Sequence, residues 1–303
     1  MLHDNPNAFC QNPLDRAGVR RKDEAWVESQ RRRPGARLML VYRGEVLTER
    51  RPADSVIQWL GMDALRALPV SRELVFLGLW KGEPVFAVDA SGAPDAPLSD
   101  IGTYASLRAA GPYLPAEELS IAGQAVWLLN WNLRNIHCTQ DGDRTEPREG
   151  GFKRVNLRTG TEHFPRTDPV AIVLPYRGEE VCLGRGPHFP PGFMSAFAGY
   201  LEPGETLEQC GARELYEEAG LTVSKIAYRY SQPWPFPSSL MMGFLAEVEG
   251  KELTIDPTEI EEARWFTREE VAAILDGRHE IMAPPPMAIA HHLMKDWVAG
   301  VRA

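Results

Sequence analysis

The sequence is short of several things. Its 303 residues hold only 4 cysteines. Cys10, Cys138, Cys182 and Cys210 form no C-x-x-C pair, so spacing alone offers no evident zinc set. The opening Met1-Leu2-His3-Asp4-Asn5-Pro6 lacks the basic-then-apolar layout of a secretory leader. This predicts a reducing, cytoplasmic setting, where disulfides are rare. No apolar run approaches the roughly 18–20 residues of a membrane span, so no membrane partner is expected. Positive charge is also in deficit. There are 33 basic and 42 acidic residues, a net of −9, which argues against bulk electrostatic binding of nucleic acid.

What is present is the ordinary mixture of a chain that buries a core, 44% hydrophobic and 25% charged, with length enough for two domains. The acidic excess is uneven. Residues 1–150 carry 18 basic and 20 acidic groups (net −2), and residues 151–303 carry 15 and 22 (net −7). Either the second half has a solvated acidic surface, or it holds a carboxylate cluster that needs cations.

Three segments follow from the patterning. Residues 1–132 read as an α+β domain. A polar, arginine-rich lead-in of about 35 residues is expected to be flexible. Strand-like runs follow at 37–42, 73–80 and 83–88, then helical runs at 107–113 and 117–132. Residues 133–168 are rich in Arg, Gly, Thr and Asp and too poor in apolar residues to build a core. They predict a small module that needs a staple. Residues 169–303 form a second domain. Strands are expected at 170–174, 180–183, 224–230 and 241–248, and helices at 206–219, 267–275 and 289–298.

Chemistry concentrates between Gly199 and Leu221. Pro203-Gly204 is a turn, Thr206 with Gln209 is a capping-box pattern, and Gly220 stands where a left-handed cap ends a helix. Glu214, Glu217 and Glu218 then share one helix face, while Leu207 and Leu215 line the opposite one. Arg213, next in sequence, is expected to point elsewhere. Like charges at this spacing repel, but together they suit a hard divalent cation such as Mg²⁺ or Mn²⁺. The whole pattern is G-x5-E-x7-R-E-U-x-E-E-x-G-U, U being a bulky aliphatic residue. Its seven fixed positions give a chance match on the order of 10⁻⁹ per start site, which outweighs the acidic-surface reading.

This pattern resembles the Nudix box of the Nudix hydrolases, which cleave nucleoside diphosphates linked to another group. The resemblance implies an α/β/α sandwich. It implies metal binding by Glu214, Glu217 and Glu218 and by the Ala198 carbonyl, and a Glu205–Arg213 ion pair bracing the loop. A catalytic water would be oriented or deprotonated by Glu217 or Glu218.

Downstream, Ser231-Gln232-Pro233-Trp234-Pro235-Phe236-Pro237-Ser238 is expected to be a stiff loop presenting Trp234 and Phe236, because alternating prolines oppose regular structure. Beside the box, this S-Q-P-W-P-F-P-x-S run resembles the signature of the NADH pyrophosphatase subfamily, across residues ~137–300. That subfamily splits NADH into reduced nicotinamide mononucleotide and AMP, and in bacteria removes NAD caps from RNA. The resemblance implies substrate binding by Gln232, Pro233, Trp234, Pro235, Phe236, Pro237, Ser238 and Ser239. It adds Glu259 as a fourth metal-binding glutamate, a backbone contact at Ala290, an aromatic contact at Tyr200, and Phe164 where many members have tyrosine. It also implies a homodimer.

Members commonly carry a zinc ribbon before the Nudix domain. Here the matching positions are Cys138, Asp141, Asn156 and Thr159, and a single thiolate is a poor zinc set. The expectation is a degenerate ribbon held by hydrogen bonds from Asp141, Asn156 and Thr159, with no zinc. Two other functions remain in view. Another Nudix activity would act on ADP-ribose or dinucleoside polyphosphates. A nucleotide-sensing regulator on a Nudix fold would show a degraded box and a DNA-binding module, and here the box is intact.

Overall fold

The structure is a computed structural model describing residues 5–50, 54–68 and 73–303, without the Arg50 side chain. The chain forms two compact units. Among the described residues, the N-terminal unit lies within Gln11–Arg166 with Pro235–Ser238; the C-terminal unit is Asn5–Cys10, Thr167–Trp234 and Ser239–Ala303.

In the N-terminal unit the lead-in is folded, not flexible. Helix α1 (Glu24–Arg31) is capped by Asp23, whose carboxylate accepts from the Ala25 and Trp26 N–H groups. Leu14 and Ala17 are buried. Arg33 pairs with Glu83 at 3.0 Å. Composition misled here because the two arginine clusters sit in short helical turns, Arg20–Lys22 and the end of α1, with Arg21, Arg31 and Arg33 half-buried.

The strands β1 (Arg37–Tyr42), β2 (Glu45–Arg50), β3 (Ser55–Ile57), β4 (Leu60–Gly61), β5 (Leu74–Trp80), β6 (Glu83–Asp89) and β7 (Thr103–Ala105) make one sheet. Its order is β3-β2-β1-β6-β5, with β4 on β1 and β7 on β2. Two helices follow, α2 (Leu107–Ala110) and α3 (Ala116–Arg134). The second packs on β1, β5 and β6 and buries Leu119, Ile121, Ala122, Ala125, Leu128 and Leu129.

The expected ribbon-like segment is a three-stranded antiparallel sheet of β8 (Thr145–Arg148), β9 (Lys153–Asn156) and β10 (Glu162–His163). Its staples are polar. Arg154 is 0% exposed. Its guanidinium donates to Thr145 Oγ1 at 2.8 Å, Thr145 O at 2.9 Å, Glu73 at 2.9 Å and Asn132 Oδ1 at 3.2 Å. A second knot joins the degenerate zinc positions. Asn156 Nδ2 donates to both Asp141 oxygens, at 3.0 and 2.9 Å, and Arg158 Nη2 to Asp141 at 3.0 Å. Asn156 Oδ1 accepts from the Arg158 and Thr159 N–H groups at 3.0 and 3.3 Å. Cys138 is buried beside this knot. An amide and a guanidinium thus occupy the oxygens that would have to turn toward a metal. This donor set does not fit structural zinc.

The C-terminal unit contains β11 (Asp168–Arg177), β12 (Glu180–Arg185), β13 (Phe197–Tyr200), helix α4 (Leu207–Ala219), β14 (Val223–Trp234), β15 (Ser239–Val248), β16 (Glu262–Thr267) and helices α5 (Arg268–Leu275) and α6 (Ile289–Val298). The sheet runs β14-β15-β11-β12-β16, with β13 antiparallel to β11 and β15 parallel to it. Alternation along β11 sorts the core into two layers. Ala171 and Val173 meet Cys210, Leu215 and Ala219 of α4. Ile172, Leu174 and Tyr176 meet Ile274, Leu293 and Trp297 of α5 and α6. Helices therefore cover both faces, which is the expected α/β/α sandwich.

The proline run differs from expectation. Strand pairing continues through Pro233, opposite Leu240, to Trp234, opposite Ser239. β14 lies at the sheet edge, so the N–H that proline lacks breaks no inner ladder. The loop shrinks to Pro235–Ser238.

Candidate active site: a carboxylate cluster on one helix

Helix α4 is fixed at both ends by its own sequence. Thr206 and Gln209 form a reciprocal capping box. At the other end Gly220 adopts φ 71°. The Leu221 N–H reaches Leu215 O at 3.2 Å, and both leucines are buried. These ends set the rotation of the helix, which places Glu214 and Glu218 toward β13.

Gly199 makes room for the first of them. A β-carbon there would lie 1.8 Å from Glu214 Cδ. The Glu214 carboxylate therefore fills the space that any other residue would occupy. The leading glycine of the box is explained by this contact, since it does not adopt a left-handed conformation.

Glu259 arrives from a loop docked on the end of the same helix. The Thr254 N–H donates to Ala219 O at 3.0 Å and the Asp256 N–H to Glu218 O at 3.3 Å. Asp256 Oδ1 accepts from Thr258 N–H at 2.8 Å and Thr258 Oγ1 at 2.7 Å. Ile260 anchors the turn in the core. The result is a set of three carboxylates, Glu214, Glu218 and Glu259, whose oxygens lie within 4.8 Å of one another.

The electrostatics of this set are unfavourable without a cation. Burial, and the charges of Glu214 and Glu259, push Glu218 up to about 8. Burial is also the main cause raising Glu214, against the opposing pull of Arg213. Glu218 Oε2 is buried with no hydrogen-bond partner. A lone unsatisfied oxygen beside two like charges is costly unless something positive joins it. The donors are all oxygen, so the set fits a hard divalent cation. Glu214, Glu218 and Glu259 are the residues that would hold it. The backbone of Ala198 lies near enough to the Glu218 carboxylate to oppose, in part, the rise caused by burial.

Glu217 stands apart from the three. Its side chain is 54% exposed and pairs with Arg213 Nη1 at 3.0 Å. Arg213 does not point elsewhere, contrary to the reading of its sequence position. Its long side chain curls across the helix. It meets Glu205 at 2.6 and 3.0 Å, Glu214 at 2.7 Å and Tyr200 O at 3.0 Å. Arg213, helped by the Glu202 N–H, holds Glu205 at about 2. The Glu205–Arg213 ion pair is formed, and the same guanidinium reaches Glu214 of the cluster.

The substrate-loop residues separate into different environments. Gln232 is 0% exposed and fully bonded: Nε2 donates to Ala8 O at 3.1 Å and Met287 O at 2.7 Å, and Oε1 accepts from the Ile289 N–H at 2.9 Å. Ser239 is buried, Pro233 and Trp234 are half-buried, and Tyr200 is 60% exposed. Ala290 is 2% exposed, its side chain in the core. Pro235, Phe236, Pro237 and Ser238 belong to the N-terminal unit, where Arg108 lies over the Phe236 ring at 4.1 Å. Phe164 is in that unit too, 62% exposed.

This sandwich with its carboxylate-bearing helix is a Nudix domain: the sequence profile described as "NUDIX domain" matches residues 165–284. A second profile, "NADH pyrophosphatase-like rudimentary NUDIX domain", matches residues 35–131. The chain is 37% identical over 223 residues to the NAD-capped RNA hydrolase NudC of Stutzerimonas stutzeri, covering 74% of this chain and 76% of that one. It is 42% identical over 197 residues to the NAD-capped RNA hydrolase NUDT12 of Homo sapiens, covering 61% of this chain and 43% of the relative. It thus spans less than half the length of that longer relative. The chain belongs to the NADH pyrophosphatase family of Nudix hydrolases, a group that works with divalent metals.

Proposed function

We propose that the protein hydrolyses the pyrophosphate bond of NADH and NAD⁺, giving nicotinamide mononucleotide and AMP, and that it removes NAD caps from RNA. The observation that carries this reading is the three-carboxylate set of Glu214, Glu218 and Glu259. The relatives named as NAD-capped RNA hydrolases support the choice of substrate.

In this mechanism Mg²⁺ or Mn²⁺ supplies neutralisation of the diphosphate charge and acidification of a bound water. Glu214, Glu218 and Glu259 hold that charge at one point. Arg213 keeps Glu214 oriented while braced by Glu205 and the Tyr200 carbonyl. Glu217, at the exposed rim, is the box carboxylate that orients the attacking water. Trp234 and Tyr200 offer flat faces to a base or nicotinamide ring. The protein acts as a homodimer, and the degenerate ribbon keeps its shape without zinc.

The experiment is turnover of NADH by the Glu218→Gln and Glu217→Gln variants. Glu218→Gln abolishes detectable turnover with the fold retained, and Glu217→Gln is slowed less. Unchanged rates in Glu218→Gln refute the reading.

A further inference from the structure

Residues 5–10 do not trail from the chain. They lie in the C-terminal unit, more than two hundred positions from their partners in sequence. The partners fall on one short stretch, the limb Ser231–Trp234. Asn5 Nδ2 donates to Ser231 O at 2.7 Å, and the Cys10 thiol donates to the same carbonyl at 3.4 Å. Between them Ala8 O accepts from Gln232 Nε2 at 3.1 Å. The Phe9 ring meets the Trp234 ring edge-on, with centroids 6.1 Å apart.

The strap is itself preorganised. Asn5 Oδ1 accepts from the Asn7 backbone N–H at 3.1 Å and from Asn7 Nδ2 at 2.7 Å, closing a turn. Phe9 is 5% exposed at φ 67°, a left-handed conformation that a bulky residue adopts only when its surroundings enforce it. Gln232 ties the same limb to the start of α6 through Met287 O and the Ile289 N–H. The limb is therefore clamped from both sides. An edge strand is paired on one side alone, and Pro233 lacks an N–H, so contacts on the open side add to what holds Trp234 in place.

We propose that Asn5–Cys10 is a positioning strap that sets the Ser231–Trp234 limb for substrate, with Asn5, Phe9 and Cys10 as positioning residues. This rests on the reading that the limb contacts the dinucleotide. None of the strap residues touches the reacting atoms. Their effect is on how well the site is preformed, so it appears in KM more than in kcat.

The test is the full-length double variant Asn5→Asp/Cys10→Ala. It removes both donors to Ser231 O but keeps the Asn5 acceptor that closes the turn. Asn5→Asp/Cys10→Ser restores one donor. Backbone hydrogen–deuterium exchange of Tyr230–Trp234 is followed beside NADH kinetics and thermal melting. The expected result is faster exchange there, KM for NADH raised about five- to tenfold with kcat within about twofold, and partial recovery in the serine variant. Unchanged exchange and KM overturn the strap. A lowered melting temperature with kcat reduced and KM unchanged also overturns it, since that is a merely structural role. Faster exchange in a protein whose unsubstituted form does not cleave NADH upholds the strap and refutes the substrate reading instead.

Discussion

Raising the pH of the metal-free protein should destabilise it, with Glu218 as the main cause. Its carboxyl is pushed from the usual 4.5 to about 8 by burial and by Glu214 and Glu259. Between those values the folded chain keeps a proton that the unfolded chain has released. Stability is therefore greatest below about pH 4.5 and falls as pH rises toward about 8. The displacement is roughly three to four pH units, a ceiling of about 5 kcal/mol across the range. The Glu218→Gln variant stays neutral throughout. Its stability should be nearly flat in pH, apart from the smaller contribution of Glu214, and it should exceed wild type near neutrality. The same proton must leave when a divalent cation enters. Near pH 7 the uptake of Mg²⁺ should release close to one proton in wild type and almost none in the variant. Urea midpoints in EDTA at several pH values, and an indicator dye during metal titration, give both quantities. Parallel pH profiles for the two proteins would show that Glu218 does not carry the raised proton affinity.

Gly199→Ala places a β-carbon on the Glu214 carboxylate. It should weaken Mn²⁺ binding by about tenfold or more, seen by calorimetric titration, while circular dichroism stays native-like. Arg154→Met leaves Glu73 and Asn132 Oδ1 without their buried donor. It should cost about 2–4 kcal/mol in urea unfolding; wild-type stability would contradict the staple. Elemental analysis of the purified chain should find only traces of zinc, and one zinc per chain would contradict the hydrogen-bonded knot around Asp141 and Asn156.

Much of the carboxylate-bearing helix is legible in the sequence. Thr206, Gln209, Gly220 and the glutamate spacing act locally, through caps and helical periodicity, so sequence order reports them directly. The α/β/α layering was legible for a similar reason, since the apolar run 170–174 and the helical patterns state what they bury. What was hidden depends on reach and on distant partners. Arg213 was misplaced because backbone periodicity ignores a side chain long enough to curl over its own helix. Glu259 was recognisable only through family resemblance, because its approach depends on the Asp256 N–H meeting Glu218 O. The strand through Pro233 was missed because the sequence does not say which strand lies at the edge. The strap was invisible because Asn5 and Ser231 are 226 positions apart.

The most direct measurement is a parallel substrate panel. NADH, NAD⁺, ADP-ribose and NAD-capped RNA are each incubated with Mg²⁺ or Mn²⁺, and products are resolved by chromatography. The account predicts that NADH and NAD⁺ give equal amounts of the nicotinamide mononucleotide and AMP, and that capped RNA becomes 5′-monophosphorylated. All three reactions should vanish in Glu218→Gln. Efficient cleavage of ADP-ribose, with NADH, NAD⁺ and capped RNA left intact, would contradict it.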